Sequence, residues 1–314
     1  MNICKLIIEY IQDKNLGNTD GDTPLHMAAG RGYLEICKVI IENVWNKNPG
    51  NRDGNTPLHI AAYKGHLNIY KQIFENIQDR NPGNIAGDTP LHLAAVQGYL
   101  EICKVIIENV QNKNPGNNEG ATPLHMAAEF GYLDVCKLIN EHVQYQNPGD
   151  NNGETPLHHA AENGYFKICK FVIEHVQDKN PGDDENRTPL HLAAECGHLD
   201  ICQLITENVQ NKNPGDDYGD KLLHQAAECG HLEICKLIIE SVQNQNSGIQ
   251  LVAVNTKICK LPIENPMNNA GFTPLDLAED SGKTNICEYI NSIVEKINPA
   301  PKHWIRANEF TAYV

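Results

Sequence analysis

The sequence predicts an all-α repeat protein, a solenoid of helix-turn-helix units with projecting β-hairpin or loop fingers. One observation is a TPLH string, or a close relative of it, that recurs every 33 residues, beginning at Thr23, Thr56, Thr89, Thr122, Thr155, Thr188 and Lys221. The other is an amphipathic segment after each copy, whose apolar stripe one unit alone cannot bury. Neighbouring units are therefore expected to stack.

The first helix of each unit begins at the TPLH string. Thr23 is a favourable N-cap, and Pro24 suits the first helical position because its missing N–H would be unpaired there anyway. Leu25 and the two alanines that follow form a small apolar face. Gly32 tolerates the positive φ at which a helix ends, so the first helix is expected to span about two turns.

The second helix is predicted in segments such as LEICKVIIENV. Ile36, Ile40 and Val44 have the spacing i, i+4 and i+8 of one helical face. Residues 48–50, Asn-Pro-Gly, are expected to end this helix. The remaining loop of each unit, such as NPGNRDGNT, has the Asn, Asp and Gly content of a tight hairpin turn.

The period of 33 residues together with T-P-L-H-x-A resembles the ankyrin repeat, and the resemblance covers about nine-tenths of the chain. It implies that the loop of each unit is a finger and that each TPLH histidine ties its helix to a neighbouring loop by hydrogen bonds. It also implies a protein partner, bound on the concave side by the finger tips and the exposed face of the first helices.

The repeats divide the chain into five parts. Residues 1–17 form a half repeat with a second helix only, which is expected of a truncation point or a gene-model start, and residues 18–247 hold seven full repeats. Residues 248–267 form a shortened, degenerate repeat, residues 268–298 a C-terminal capping repeat, and residues 299–314 a tail.

The shortened repeat is the predicted weak point. Its segment NTKICKLPIEN matches the second helices but carries Pro262 inside the helix. A proline there costs about 3 kcal/mol. Stacking is therefore predicted to be weakest around residues 247–272.

Composition and charge narrow the class of partner. The chain has 25 Lys and Arg against 40 Asp and Glu, a formal charge of −15, which repels nucleic acid and anionic lipid. No apolar run has the length of a membrane helix, and the N-terminal segment has no signal-peptide cleavage site. We expect a soluble, cytoplasmic, monomeric protein whose partner is a protein, with a basic or mixed apolar and basic segment.

The repeated histidines invite comparison with a metal array. They are His26, His59, His92, His125, His158, His191 and His224. One histidine per repeat places neighbours roughly 10 Å apart, whereas zinc needs each ligand at about 2.0–2.1 Å. Their predicted role is structural.

Most of the cysteines also share one register. These are Cys4, Cys37, Cys103, Cys136, Cys169, Cys202, Cys235, Cys259 and Cys287, with Tyr70 replacing cysteine in the second full repeat. Free cysteine behaves as a small buried apolar residue, and adjacent copies would be too far apart to bridge. They are interpreted as core thiols of a reducing compartment.

A sharper pattern is ECGHLDIC followed by ECGHLEIC, which places Cys196 near His198 and Cys229 near His231. Each pair spans a helix end and a turn, so no metal site is predicted. The sequence contains no phosphate loop, nucleophile elbow, His-Glu-x-x-His or kinase motif. We therefore predict no enzyme and no cofactor.

The candidate binding residues are those that vary between repeats at the end of the first helix and at the finger tip. They are Arg31, Arg52, Tyr63, Lys64, Ile85, Val96, Glu129, Phe130, Glu162, Glu195, Tyr218 and Glu228. The sequence predicts an apolar patch of Tyr63, Ile85, Val96 and Phe130 beside an acidic stretch that steers a basic segment. The alternative is a solvated surface with isolated apolar residues.

Three functions follow from these observations. The first is an interaction scaffold or adaptor. The alternative is the soluble recognition arm of a larger channel or multidomain enzyme, which the missing first half repeat favours. The third, an enzyme or metalloprotein in its own right, has no motif to support it, and metal analysis of the purified protein tests it.

Overall fold

A computed structural model of the chain describes residues 14–144, 146–250 and 267–297. These residues contain sixteen α-helices and no strand, apart from an isolated bridge between Gly215 and Lys221. The chain divides into two compact units, Met1–Val209 and Gln210–Val314. Among the residues described, no helix is both long and apolar enough to cross a bilayer.

The helices alternate between the two predicted types. In the first unit the first helices are α1 (Pro24–Arg31), α3 (Pro57–Tyr63), α5 (Pro90–Val96), α7 (Pro123–Glu129), α9 (Pro156–Glu162) and α11 (Pro189–Cys196). Its second helices are α2 (Leu34–Asn43), α4 (Leu67–Phe74), α6 (Leu100–Asn109), α8 (Leu133–Asn140), α10 (Phe166–His175) and α12 (Leu199–Asn208). The second unit contains α13 (Leu222–Cys229), α14 (Leu232–Gln250), α15 (Pro274–Asp280) and α16 (Thr284–Ile297). The all-α repeat architecture is confirmed.

The TPLH histidine has two roles in the structure. In α5, the backbone N–H of Thr89 donates to Nδ1 of His92 at 3.0 Å. Because Nδ1 accepts, the proton lies on Nε2, which donates to the carbonyl of Ala121 in the next finger at 3.0 Å. The equivalent histidines of α1, α3, α7 and α9 also reach a carbonyl 29 residues onward. The predicted tie between first helix and loop is confirmed at these positions.

The glycine that follows α3 is required for two reasons. Gly65 has φ of +73°, a conformation that costs other residues free energy. A Cβ at Gly65 would also lie 2.6 Å from Cζ of Tyr99 in the following repeat. The sequence predicted the first reason and not the second, because the ring of Tyr99 comes from the next repeat.

In the first unit the second helices end earlier than predicted, whereas α14 of the second unit continues to Gln250. The expectation that residues 48–50 end α2 is wrong, since the helix ends at Asn43 and Val44 is extended. The side chain of Asn48 has another task, because its Oδ1 accepts a hydrogen bond from the backbone N–H of Leu58 at 3.1 Å. Asn48 therefore caps the next first helix.

The fingers are turns, not strand hairpins, within the described chain. Asn51 shows the pattern, since its N–H donates to the carbonyl of Asn55 at 2.9 Å and its Oδ1 accepts from the N–H groups of Asp53 and Asn55. The N–H of Arg52 donates to the carbonyl of Asp20 in the preceding finger at 2.9 Å. In the first unit, this tip-to-tip bond recurs at Ile85, Asn118, Asn151 and Asp184.

The core lies between the helices and contains the repeated thiols. Cys37, Cys103, Cys136, Cys169, Cys202 and Cys235 are buried and free. Burial raises the pKa of Cys37 to about 11 and that of Cys103 to about 12, so these thiols stay protonated. For these six residues the prediction of a core position is confirmed, whereas Cys287 is only half-buried. Cys4 and Cys259 lie outside the described residues.

In the second unit, the last repeat stacks directly on the repeat of α13 and α14. Helix α15 packs against α13, and the N–H of Asn269 donates to the carbonyl of Tyr218 at 2.9 Å, as in the regular fingers. His224 Nε2 lies 3.2 Å from the carbonyl of Phe272. Helices α13 and α15 are therefore direct neighbours.

Three of the predicted segments lie largely outside the described residues. Residues 1–13, 251–266 and 298–314, which include most of the half repeat, most of the shortened repeat and the tail, lie outside the described residues. The weak stacking predicted around 247–272 remains a prediction.

Candidate functional site

One face of the first unit is built from its first helices. Helices α1, α3, α5, α7, α9 and α11 pack side by side in this order. In α3, Ile60 stands three and four residues before Tyr63 and Lys64, so these three side chains share one face of the helix. The same register holds in each first helix. The face is thus a row of equivalent positions, one set per repeat.

One row of residues on this face was not predicted to bind a partner. The residue between the buried TPLH histidine and the first alanine is Met27, Ile60, Leu93 or Met126 in the first four repeats, and none of these is buried. Met27 is 38% exposed. A Cβ at Gly30 would lie 3.2 Å from Cγ2 of Ile60, so the Ile60 side chain lies against the end of the preceding first helix. Because the row lies inside the repeating motif, the sequence did not distinguish its residues from those of the buried core.

The predicted aromatic residues border this apolar row. Tyr63 is 41% exposed and Phe130 is 45% exposed, although large apolar side chains in this fold are mostly buried. Lys64 Nζ lies 5.0 Å from the centroid of the Tyr63 ring, a cation–π contact. Val96 is half-buried. Tyr63, Val96 and Phe130 lie on or immediately after three consecutive first helices.

The finger tips carry the other predicted residues. Ile85 is 69% exposed, and Arg52 is also exposed. The N–H groups of both residues are bonded to the preceding finger at 2.9 Å. Both side chains therefore project from a backbone that is fixed by its neighbour.

Charge changes sign along the face. Arg31 and Lys64 are exposed at the early repeats, while Glu162 and Glu195 are exposed at the later ones. Glu129 is half-buried between them. The carbonyl of Glu162 accepts a hydrogen bond from Nε2 of His198 at 2.9 Å, which fixes the end of α9 against the next repeat. His198 is thus used as a structural donor.

The other predicted site residues belong to the second unit. Tyr218 is 57% exposed at the tip of its finger, and Glu228 is exposed near the end of α13. Their equivalents in the first unit are the finger residue Ala86 and the helix residue Glu195. Their part in a binding site stays a prediction.

The model of one known protein family matches nearly the whole chain. A family model described as ankyrin repeats, in three copies, matches residues 1–84, 75–147, 91–183, 138–216, 176–250 and 209–299. No curated protein sequence matches the chain. The overlapping matches carry the repeat pattern across both compact units.

Proposed function

Because the chain belongs to the ankyrin-repeat family, whose repeats are generally protein–protein interaction modules, we propose that it is a non-enzymatic scaffold or adaptor. The proposed binding surface is the face formed by the first helices and finger tips of the first unit. The observation that carries the proposal is the apolar row of Met27, Ile60, Leu93 and Met126, bordered by Tyr63 and Phe130. Apolar side chains that remain partly exposed on adjacent repeats mark interaction sites.

The proposed partner is a protein with a mixed apolar and basic segment. Apolar side chains of the partner would cover the row, with Tyr63 and Phe130 as aromatic anchors. Glu162 and Glu195 supply exposed negative charge farther along the same face. Complementary charge fixes the direction of a bound segment and raises its association rate.

We propose a reducing, cytoplasmic setting and a monomeric state for this function. Among the described residues, the buried cysteines of the core register form no disulfide. Protonated, buried thiols suit a compartment in which disulfides do not form. Size-exclusion chromatography with light scattering, under reducing conditions, tests the monomer.

The double substitution Tyr63→Ala with Phe130→Ala is the direct test of the face. Both side chains lie off the buried stripe, so the fold should be retained, as circular dichroism would show. Affinity for a partner obtained by affinity purification should fall by more than about 1 kcal/mol, as expected for aromatic hot spots. The measurement is isothermal titration calorimetry.

Trp45→Ala is the matched control. Trp45 is an aromatic residue that is 88% exposed and follows α2, away from the first-helix face. Its removal should leave affinity unchanged. Equal losses from the control and from the double variant would mean that the face has no special role.

Electrostatic steering by Glu162 and Glu195 can be tested separately. Replacing Glu162 and Glu195 by Gln should slow association with a basic partner and flatten its salt dependence, because exposed charges are screened over about 8 Å at physiological ionic strength. Stopped-flow association rates at several salt concentrations measure this. An identical salt slope in both proteins would remove the steering role.

A further inference from the structure

A second cluster of polar side chains lies where the finger of residues 150–154 meets α9. Asp150 and Glu154 come from the two ends of the finger, and His159 comes from the fourth position of the helix. One ligand atom from each residue lies within 4.8 Å of the other two. All three residues are half-buried. The cluster joins two carboxylates and an imidazole, the ligand types of first-row transition metals.

Backbone contacts hold the two carboxylates in place. Asp150 Oδ1 accepts from the N–H groups of Asn152 at 2.8 Å and Glu154 at 3.0 Å, which leaves Oδ2 for another partner. The carbonyl of Glu154 accepts from Nε2 of His125 at 3.0 Å. The main chain of the finger is therefore fixed from both sides.

The imidazole of His159 is held in position by a contact with another ring. The ring of His159 packs edge-on against the ring of His125, with centroids 5.7 Å apart. In the described part of the chain, no hydrogen bond and no ion pair within 4.0 Å joins His159 to either carboxylate. The three ligand groups thus face one another across a gap.

The negative charge of the cluster is only partly compensated. Arg187 Nη2 lies 3.5 Å from Glu154 Oε1, but Arg187 Nε also lies 3.2 Å from Asp183 and 3.5 Å from Glu185. A bound cation would supply the missing positive charge.

The same three positions in the neighbouring repeats do not carry these three residue types together. The preceding repeat has Asn117, Ala121 and Met126, and the following one has Asp183, Arg187 and Leu192. The seventh full repeat has Asp216, Asp220 and Gln225 at these positions, so among the full repeats only the repeat of α9 combines two carboxylates with a histidine in the apolar row. This coincidence distinguishes the cluster from the repeating scaffold.

We propose that Asp150, Glu154 and His159 form a binding site for a divalent transition metal, for which Zn²⁺ is the representative ion. Ligand atoms of a tetrahedral zinc site lie about 3.4 Å apart, as its 2.0–2.1 Å bonds require. Rotation of half-buried side chains closes a gap of 4.8 Å to that distance. The fourth position is left to water or to an outside ligand. Mg²⁺ and Ca²⁺ prefer six or more oxygen ligands and fit poorly.

Titration calorimetry with ZnCl₂ on the full chain, without any partner, tests the site. The wild-type protein should bind one ion saturably, and an excess of Mg²⁺ should not displace it. Asp150→Asn, Glu154→Ala and His159→Leu each introduce the residue of a neighbouring repeat, so the fold should hold. Each should weaken Zn²⁺ binding at least tenfold. With Co²⁺ as the probe, each variant should lose the visible absorption of a four-coordinate ion.

His142→Gln is the control, because His142 is exposed on the same unit and lies outside the cluster. It should bind Zn²⁺ like the wild type. No saturable binding by the wild-type protein, or equal binding by the three cluster variants, would overturn the metal site. Neither result bears on the proposed protein-binding face, since no partner is present in the measurement.

Discussion

The first helices of the regular repeats and the first helix of the last repeat are capped by different residues at the third helical position. In α5, His92 accepts from the N–H of Thr89 and donates to the carbonyl of Ala121 in the next finger. In α15, Asp276 Oδ2 accepts from the N–H of Thr273 at 2.8 Å and from its hydroxyl at 2.7 Å. Asp276 has no donor to reach onward. Capping a helix and joining two repeats are therefore separable tasks.

Burial differs in the same way. His92 is fully buried, while Asp276 is exposed. A neutral imidazole can satisfy two partners inside the stack, whereas a carboxylate is stable where water reaches it. The histidine belongs to the interior of a stack.

Acid should act most strongly on the interior repeats. Burial lowers the pKa of His59, His125 and His158 from 6.5 to about 4. Above pH 6.5 these histidines are neutral in both states. As the pH falls from 6.5 to 4, the unfolded chain takes up protons first, so each histidine lowers the free energy of unfolding by about 1.4 kcal/mol per pH unit.

Together the three histidines remove roughly 10 kcal/mol by pH 4, which is comparable to the whole stability of a domain. Urea unfolding at pH 7.5, 6, 5 and 4.5, followed by circular dichroism, measures the loss. Stability that stays constant down to pH 4.5 would contradict the buried neutral histidines.

Exchanging the two residues should break the interior repeat. His92→Asp keeps a capping acceptor but buries a carboxylate close to Asp88 and removes the donor to Ala121. An unpaired buried charge costs about 3–5 kcal/mol. Thermal and urea unfolding of the variant should show this loss at pH 7.5. A loss below 1 kcal/mol would mean that the interior tolerates the last repeat's solution.

The finger glycines allow a matched comparison of neighbours. Gly54 has φ of +74° and Gly271 has φ of +88°, so alanine is strained at both positions. A Cβ at Gly54 would lie 2.8 Å from the backbone N of Ile85, while nothing lies within 4 Å of one at Gly271. Gly271→Ala should cost about 1 kcal/mol, and Gly54→Ala about 2–3 kcal/mol because the finger-to-finger bond is also lost. Equal losses in urea unfolding would show that the adjacent finger adds nothing.

The reverse exchange should have the smallest effect. Asp276→His keeps an acceptor for the N–H of Thr273, and its second ring nitrogen would face solvent because Asp276 is exposed. The free energy of unfolding should change by less than about 0.5 kcal/mol, as for most surface substitutions. A large change, in either direction, would indicate a contact of Asp276 beyond its cap.

Local signals in the sequence predicted much of the fold. Thr23 and Pro24 indicated the helix start, Gly32 its end, and the constant period indicated stacking of like units. These features act within one repeat or repeat without change. The register of the buried thiols was equally visible.

Features that need two repeats, or a turn of the finger, were not predicted. The ring of Tyr99 against Gly65 joins adjacent units. Asp150, Glu154 and His159 have spacings of four and five residues, which no single helix face brings together. Only the folding of the finger onto α9 does so.

The direct contact of the last repeat with the repeat of α13 was not predicted. Lys221 and Thr273 are 52 residues apart, 19 more than one period of 33. Helix α13 nevertheless contacts α15 directly. Sequence distance alone does not distinguish a shortened layer from an insertion.

The bond from His224 to Phe272 spans 48 residues, whereas the equivalent bond from His92 to Ala121 spans 29. The entropy of closing a chain segment grows only with the logarithm of its length. The longer segment therefore adds about 0.4 kcal/mol to the closure of this contact, less than one hydrogen bond contributes. A stack whose layers recognise each other through such local geometry can accept extra chain between two layers at small thermodynamic cost, so its length in residues and its length in layers can evolve independently.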